Sequence, residues 1–156
     1  MEQTQQFPAE EVTLPSKGLL YPEGSPLKSG IIEMKYMTVK EEDILTNSNL
    51  IENGTVIDKL LQSLIVTKFD YNDLLIGDKN AILVAARILG YGADYTFKYG
   101  GQEETVDLTT LETRYLNEGD LKEKHVNKFE FTCPASKTVI EFKLLDGNDD
   151  KKVKSE

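Results

Sequence analysis

The sequence predicts an α+β fold: an N-terminal extended arm, a small helical bundle, then two antiparallel β-hairpins. Three observations lead there. Apolar residues repeat at helical spacing between Thr38 and Leu89, and from Tyr95 onward they alternate with polar ones. Helices and strands are thus segregated along the chain rather than interleaved as βαβ units. Ahead of both, Pro8, Pro15, Pro22 and Pro26 with Gly18, Gly24 and Gly30 disfavour helix, because each proline fixes its own φ and restricts the residue before it. At 156 residues the chain has the length of one ordinary domain, which buries roughly 68–70% of its unfolded surface. The expected organisation is an arm over 1–30, a helical core with a short leading strand over 31–92, a hairpin region over 93–145 and a mobile charged tail over 146–156.

Each element has a local reason. Within the arm, Val12, Leu14, Leu19, Leu20, Tyr21 and Leu27 are more apolar surface than a free linker needs, so the arm should lie against its own domain or a neighbour. Ile31–Met37 partly alternates and suits a strand. Thr38-Val39-Lys40-Glu41 matches a capping box, in which the Thr38 hydroxyl accepts from the Glu41 amide and the carboxylate reaches back to the Thr38 amide. Glu41, Glu42 and Asp43 then read as first-turn acids favoured by the exposed helix amides. Gly54 ends a short apolar piece, and Thr55-Val56-Ile57-Asp58 repeats the start signal before Leu60, Leu61, Leu64 and Ile65. Asp78 precedes a third helix that ends at Gly90. Its sequence, Ala81 to Leu89, is apolar nearly all round, which places it centrally with other elements packed about it. Arg87 must then find carbonyls or a carboxylate, or extend its head to water.

The first hairpin puts Tyr95, Phe97 and Tyr99 on one face and turns at Gly100-Gly101; Val106 and Leu108 return on the second strand. In the second, Phe129, Phe131 and Cys133 alternate with polar residues, Pro134–Lys137 turns, and Thr138, Ile140, Phe142 and Leu144 follow. These aromatic residues are expected to be core. Cys133 reads as a small core or rim residue, since no basic cluster would activate its thiol.

Composition excludes several classes of function. Eighteen basic against 27 acidic residues leave a net charge of −9, so the averaged field repels nucleic acid and anionic lipid. The longest apolar runs are far short of the ~20 residues a bilayer requires. Met1–Gln6 has neither the basic region nor the apolar stretch of a secretion signal. One cysteine and one histidine cannot make a disulfide within the chain or a four-ligand Cys/His zinc site. Gly90-Tyr91-Gly92 follows a helix, not a strand, and so lacks the context of a phosphate loop. His125 lies in a charged stretch without an adjacent nucleophile and reads as a solvent residue. No catalytic, cofactor-binding or metal-ligating residue emerges.

Longer strings carry a family likeness. Leu14-Pro15-Ser16-Lys17-Gly18-Leu19-Leu20-Tyr21-Pro22, followed by Gly30-Ile31-Ile32-Glu33-Met34-Lys35-Tyr36-Met37-Thr38-Val39-Lys40-Glu41-Glu42-Asp43-Ile44-Leu45, resembles the T4-type bacteriophage baseplate family. Gly54–Leu61, Leu74–Asn80 and Ala86–Gly92 are similar to the rest of that pattern, in the same order. The resemblance implies a late structural protein of the baseplate hub of a contractile-tailed phage. It would act in the host cytoplasm during assembly and in the virion tail baseplate, with other hub or tail proteins as partners. It implies no catalytic, cofactor or metal residues, and no nucleic-acid, membrane or small-molecule partner. Relatives extend further, so it says nothing of contacts made by a C-terminal element. A Pro-anchored apolar arm loses little ordering entropy on docking, which makes Leu14, Pro15, Leu19, Leu20 and Tyr21 the expected protein-interface residues. Two other readings remain open: a transient tail-assembly chaperone for hub or tape-measure protein, and an acidic inhibitor of a host nucleic-acid enzyme.

Overall fold

A computed structural model describes residues 8–155. Its elements are β1 (Ala9–Thr13), β2 (Ile31–Lys35), α1 (Val39–Leu45), α2 (Ser48–Glu52), α3 (Val56–Leu64), α4 (Ile76–Tyr91), β3 (Asp94–Tyr99), β4 (Gln102–Asp107), β5 (Phe129–Thr132), β6 (Val139–Phe142) and α5 (Gly147–Ser155), with four short 3-10 turns. The fold is α+β, with three two-stranded sheets pairing β1 with β2, β3 with β4 and β5 with β6. The chain forms two compact units. One comprises residues up to Val12, Ile32–Thr67 and Ala81–Thr113; the other comprises Thr13–Ile31, Lys68–Asn80 and the residues from Arg114 onward. These units cut across the boundaries expected from the sequence, because each gathers chain segments that are distant in sequence.

In the first unit, α1 and α3 pack together and Ile32, Met34, Leu60, Leu61, Leu64, Ile82 and Ala86 are buried. Met34 bridges to Ile65, and the Val66 amide donates to the Glu33 carbonyl at 2.8 Å, so the segment leaving α3 runs along the edge of β2. The capping motif forms where the sequence places it: Glu41 Oε2 accepts from the Thr38 amide at 3.0 Å and from the Thr38 hydroxyl at 2.5 Å. The acidic triplet is not merely a solvated first turn, however. Glu41 is fully buried, and its Oε1 accepts from Lys35 Nζ at 2.8 Å and Ser63 Oγ at 2.6 Å. One carboxylate therefore joins the end of β2, the start of α1 and the last turn of α3.

Helix α4 departs from expectation in three ways. It starts at Ile76, so Asp78 lies inside its first turn instead of ahead of it. It ends at Tyr91, and Gly92, at φ 82°, supplies the left-handed stop. Gly90 is instead a packing position, where a Cβ would lie 2.8 Å from the Met37 methyl. Nor is the helix enclosed: in the first unit Ile82 and Ala86 are buried while Leu83 is 37% exposed. Arg87 resolves as the sequence required, its guanidinium donating to the carbonyls of Gly92 and Asp94 and lying over the Tyr91 and Tyr95 rings.

In the second unit, the stretch read as an extended arm is folded into its own core. Leu14, Leu20, Tyr21 and Leu27 are buried, and Leu14 donates to the Gly30 carbonyl at 2.8 Å. Two left-handed glycines allow this fold. A Cβ at Gly18 (φ 74°) would meet the Lys28 carbonyl oxygen at 2.1 Å, and one at Gly30 (φ 70°) would meet the Lys17 carbonyl carbon at 2.5 Å. Residues 1–7 of the predicted arm lie outside the described residues, and Ala9–Thr13 is strand β1.

The tail expected to be mobile is helical through Ser155. The Asp149 amide donates to Asp146 Oδ1 at 2.9 Å and the Asp146 amide to Asp149 Oδ2 at 3.3 Å, a reciprocal cap built on Asp-x-x-Asp. Lys143 Nζ reaches Asp149 at 2.7 Å, and the Gly147 amide donates to the Leu74 carbonyl. Acids at the start and Lys152 and Lys154 at the end of α5 suit its dipole.

Burial pushes the Glu41 carboxyl upward, but hydrogen bonds from Lys35, Ser63 and Thr38 outweigh it and hold the group at about 2. The stability it contributes is therefore complete above the ordinary value of 4.5 and is lost as pH falls toward 2. Glu41→Gln, which removes the counter-charge Glu41 gives Lys35, should cost about 2–3 kcal/mol in urea unfolding at neutral pH. It should also flatten the acid limb of stability between those two pH values.

Candidate functional site

The most concentrated polar group in the second unit is formed by Ser16, Tyr21 and Asp78. Asp78 is 1% exposed. Its Oδ1 accepts from the Ser16 amide at 2.9 Å, and its Oδ2 accepts from Ser16 Oγ at 2.6 Å and Tyr21 Oη at 2.7 Å. Tyr21 Oη accepts in turn from the Leu75 amide at 3.0 Å. Both carboxylate oxygens are thus engaged, and the phenol is used as donor and acceptor together. Burial first, then the adjacent Asp78 charge, pushes the Tyr21 phenol far above its ordinary value of 10.0. Chemically the group is a staple: it ties the Leu14–Tyr21 turn to the first turn of α4.

The five residues expected to face a partner are absorbed by this arrangement. Leu14, Leu20 and Tyr21 are buried; Pro15 and Leu19 are half-buried. The Pro15 carbonyl accepts from Leu116 at 2.9 Å and the Leu19 carbonyl from His125 at 2.7 Å. An apolar residue that fills its own core has no surface left to offer a neighbour, so the expected interface is corrected for Leu14, Leu20 and Tyr21. His125 is also not the free solvent residue expected. Its side chain is largely covered, its Nδ1–H donates to the Tyr21 carbonyl at 2.8 Å, and its Nε2 lies 3.4 Å from Glu23.

Beside the staple is a cleft of about 490 Å³, lined by Pro15, Ser16, Leu75, Gly77, Asp78, Arg114, Tyr115, Leu116, Asn117, Asp120 and Leu144. Lys17 lies over the Tyr115 ring at its edge. A second hollow of about 380 Å³ includes Tyr21, His125, Asn127 and Lys143. Among the described residues, no group of three His, Cys, Asp or Glu side chains could hold a metal ion, and no helix is long and apolar enough to cross a membrane.

The exposed apolar surface that sequence reasoning assigned to the core is on the hairpins. The expected strands form, but their aromatic faces are not core. Tyr99 is 77% exposed, and Tyr95 and Phe97 beside it are exposed as well. In the other unit the register pairs Phe129 with Phe142 and Phe131 with Ile140, gathering four apolar residues on one face. Phe129 and Phe142 stack at 5.4 Å, while Phe131 (55%), Ile140 and Phe142 remain exposed. Alternation reveals that a strand has an apolar face but not whether anything covers it. Cys133 sits half-buried at the rim, its amide and carbonyl engaged by Thr138 and Lys137. No protein-family model, curated protein or solved structure matches the chain.

Tyr21→Phe should cost about 1–3 kcal/mol in urea unfolding, because the buried Leu75 amide loses its acceptor and Asp78 loses a donor. In the intact protein, spectroscopic titration should show one tyrosine that fails to ionise with the exposed ones.

Proposed function

We propose that the chain is a structural component of the baseplate hub of a contractile-tailed bacteriophage, acting in tail assembly through protein–protein contacts. The ordered likeness between Leu14 and Gly92 supports the phage assignment. The observation that carries the mode of action is the exposed apolar face of the β5–β6 hairpin, which includes Phe131, Ile140 and Phe142. Exposed apolar clusters of this kind mark contact surfaces. Two strands cannot cover such a face themselves, and burying it on a neighbour recovers the hydrophobic free energy left unused in the isolated chain. In this reading the Leu14–Tyr21 segment shapes the unit that carries the hairpin, and the hairpin makes the contact. No covalent step is required of any side chain.

The test follows from that division. Phe131→Ser with Ile140→Ser alters exposed positions and should change stability by about 0.5 kcal/mol or less per site. In infected cells the double variant should fold, yet fail to be captured with hub or tail proteins and be missing from purified tails. Capture and incorporation equal to wild type would overturn the contact surface. Absence of the wild-type chain from both purified tails and tail-protein complexes would overturn the function.

A further inference from the structure

We propose that the free edge of β3 is a self-recognition site, through which two copies of this chain pair antiparallel about a twofold axis at Thr96. The hairpin geometry determines which backbone groups are available. Gly100 (φ 58°) and Gly101 (φ 85°) form a two-residue turn that pairs Tyr99 with Gln102. In such a turn the closing pair exchanges backbone hydrogen bonds. Tyr95, Phe97 and Tyr99 therefore direct their amides and carbonyls at β4, and Asp94, Thr96 and Lys98 direct theirs outward. Two bonds agree with this phase: the Leu108 amide donates inward to the Ala93 carbonyl at 2.9 Å, while Arg87 donates to the outward Asp94 carbonyl at 3.2 Å, which keeps its second lone pair for a ladder partner.

The side chains on that edge are complementary to themselves. With Thr96 opposite its own copy, Asp94 falls opposite Lys98 of the second copy, twice, and Tyr95 opposite Phe97, twice. Outward backbone groups meet outward groups, as an antiparallel ladder requires. The charges also suit such a partner. Within its own hairpin Asp94 faces Asp107 and Lys98 faces Glu103, yet among the described residues neither Asp94 nor Lys98 forms an ion pair. A lysine alone on an edge keeps strands apart; an aspartate four residues earlier turns the same lysine into half of a matched pair. The β4 edge is different, carrying Glu103, Glu104 and Asp107 with no cation. Pairing through β3 gives a four-stranded sheet with Tyr95, Phe97 and Tyr99 of both copies on one continuous face. A lone two-stranded hairpin lacks that support.

Sedimentation velocity of the full chain over a range of concentrations tests the proposal, which stands apart from any phage partner. Wild type should show a concentration-dependent monomer–dimer equilibrium. Asp94→Lys relieves the acid pair inside the hairpin yet sets lysine against lysine between copies, so it should weaken the dimer roughly tenfold. Lys98→Asp should do likewise, with circular dichroism confirming that the hairpin survives the new acid opposite Glu103. Mixing the two single variants should restore association, since each then supplies the charge the other lacks. A wild type that stays monomeric throughout, or a dimer that Asp94→Lys leaves unchanged, would overturn it. Should Lys98→Asp unfold the hairpin, Asp94→Lys with wild type still decides.

Discussion

A carboxylate taken out of water has to gather donors, and both units are organised by that requirement. In the first, Glu41 collects Lys35, Ser63 and Thr38. In the second, Asp78 collects the Ser16 amide, the Ser16 hydroxyl and the Tyr21 phenol. Each acid takes at least one donor from a distant segment, Ser63 22 positions from Glu41 and Ser16 62 positions from Asp78. Apolar packing alone tolerates sliding and repacking, whereas a buried acid with an unfilled lone pair does not. The two acids therefore specify which segments meet, while most of the buried apolar residues around them are leucines.

Apolar surface is distributed unevenly as a consequence. Leucines from the Leu14–Leu27 segment, α3 and the Leu74–Leu75 pair are consumed in the cores. The aromatic residues of the hairpins are left outside, on sheets of two strands each. A sheet that small buries one face only if another element lies on it. The contrast between saturated cores and uncovered hairpins is the physical basis for reading the chain as a part that functions among neighbours.

Local signals were legible wherever the chemistry was local. The Thr38–Glu41 box, the Gly54 stop, the Gly100-Gly101 turn and the presence of both hairpins follow from residues within a few positions of one another. The Asp146–Asp149 cap was equally local, an Asp-x-x-Asp with acids at the start and lysines at the end of the following turns. It was obscured by high charge, which reads as a solvated tail until the cap is recognised. The Gly90 stop failed for a different reason: a glycine chosen for close approach to Met37 looks the same in sequence as one chosen for a left-handed turn.

By itself, the sequence determined the class of fold, the places where helices give way to hairpins, and the acidic field around the molecule. Only tertiary structure decided that the proline-containing segment folds inward, that Glu41 and Asp78 are buried, and that the aromatic faces stay uncovered. Periodicity and capping are properties of adjacent residues, so they can be read along the chain. Burial depends on what arrives from elsewhere, and no pattern within a strand of six residues records whether a second surface will reach it.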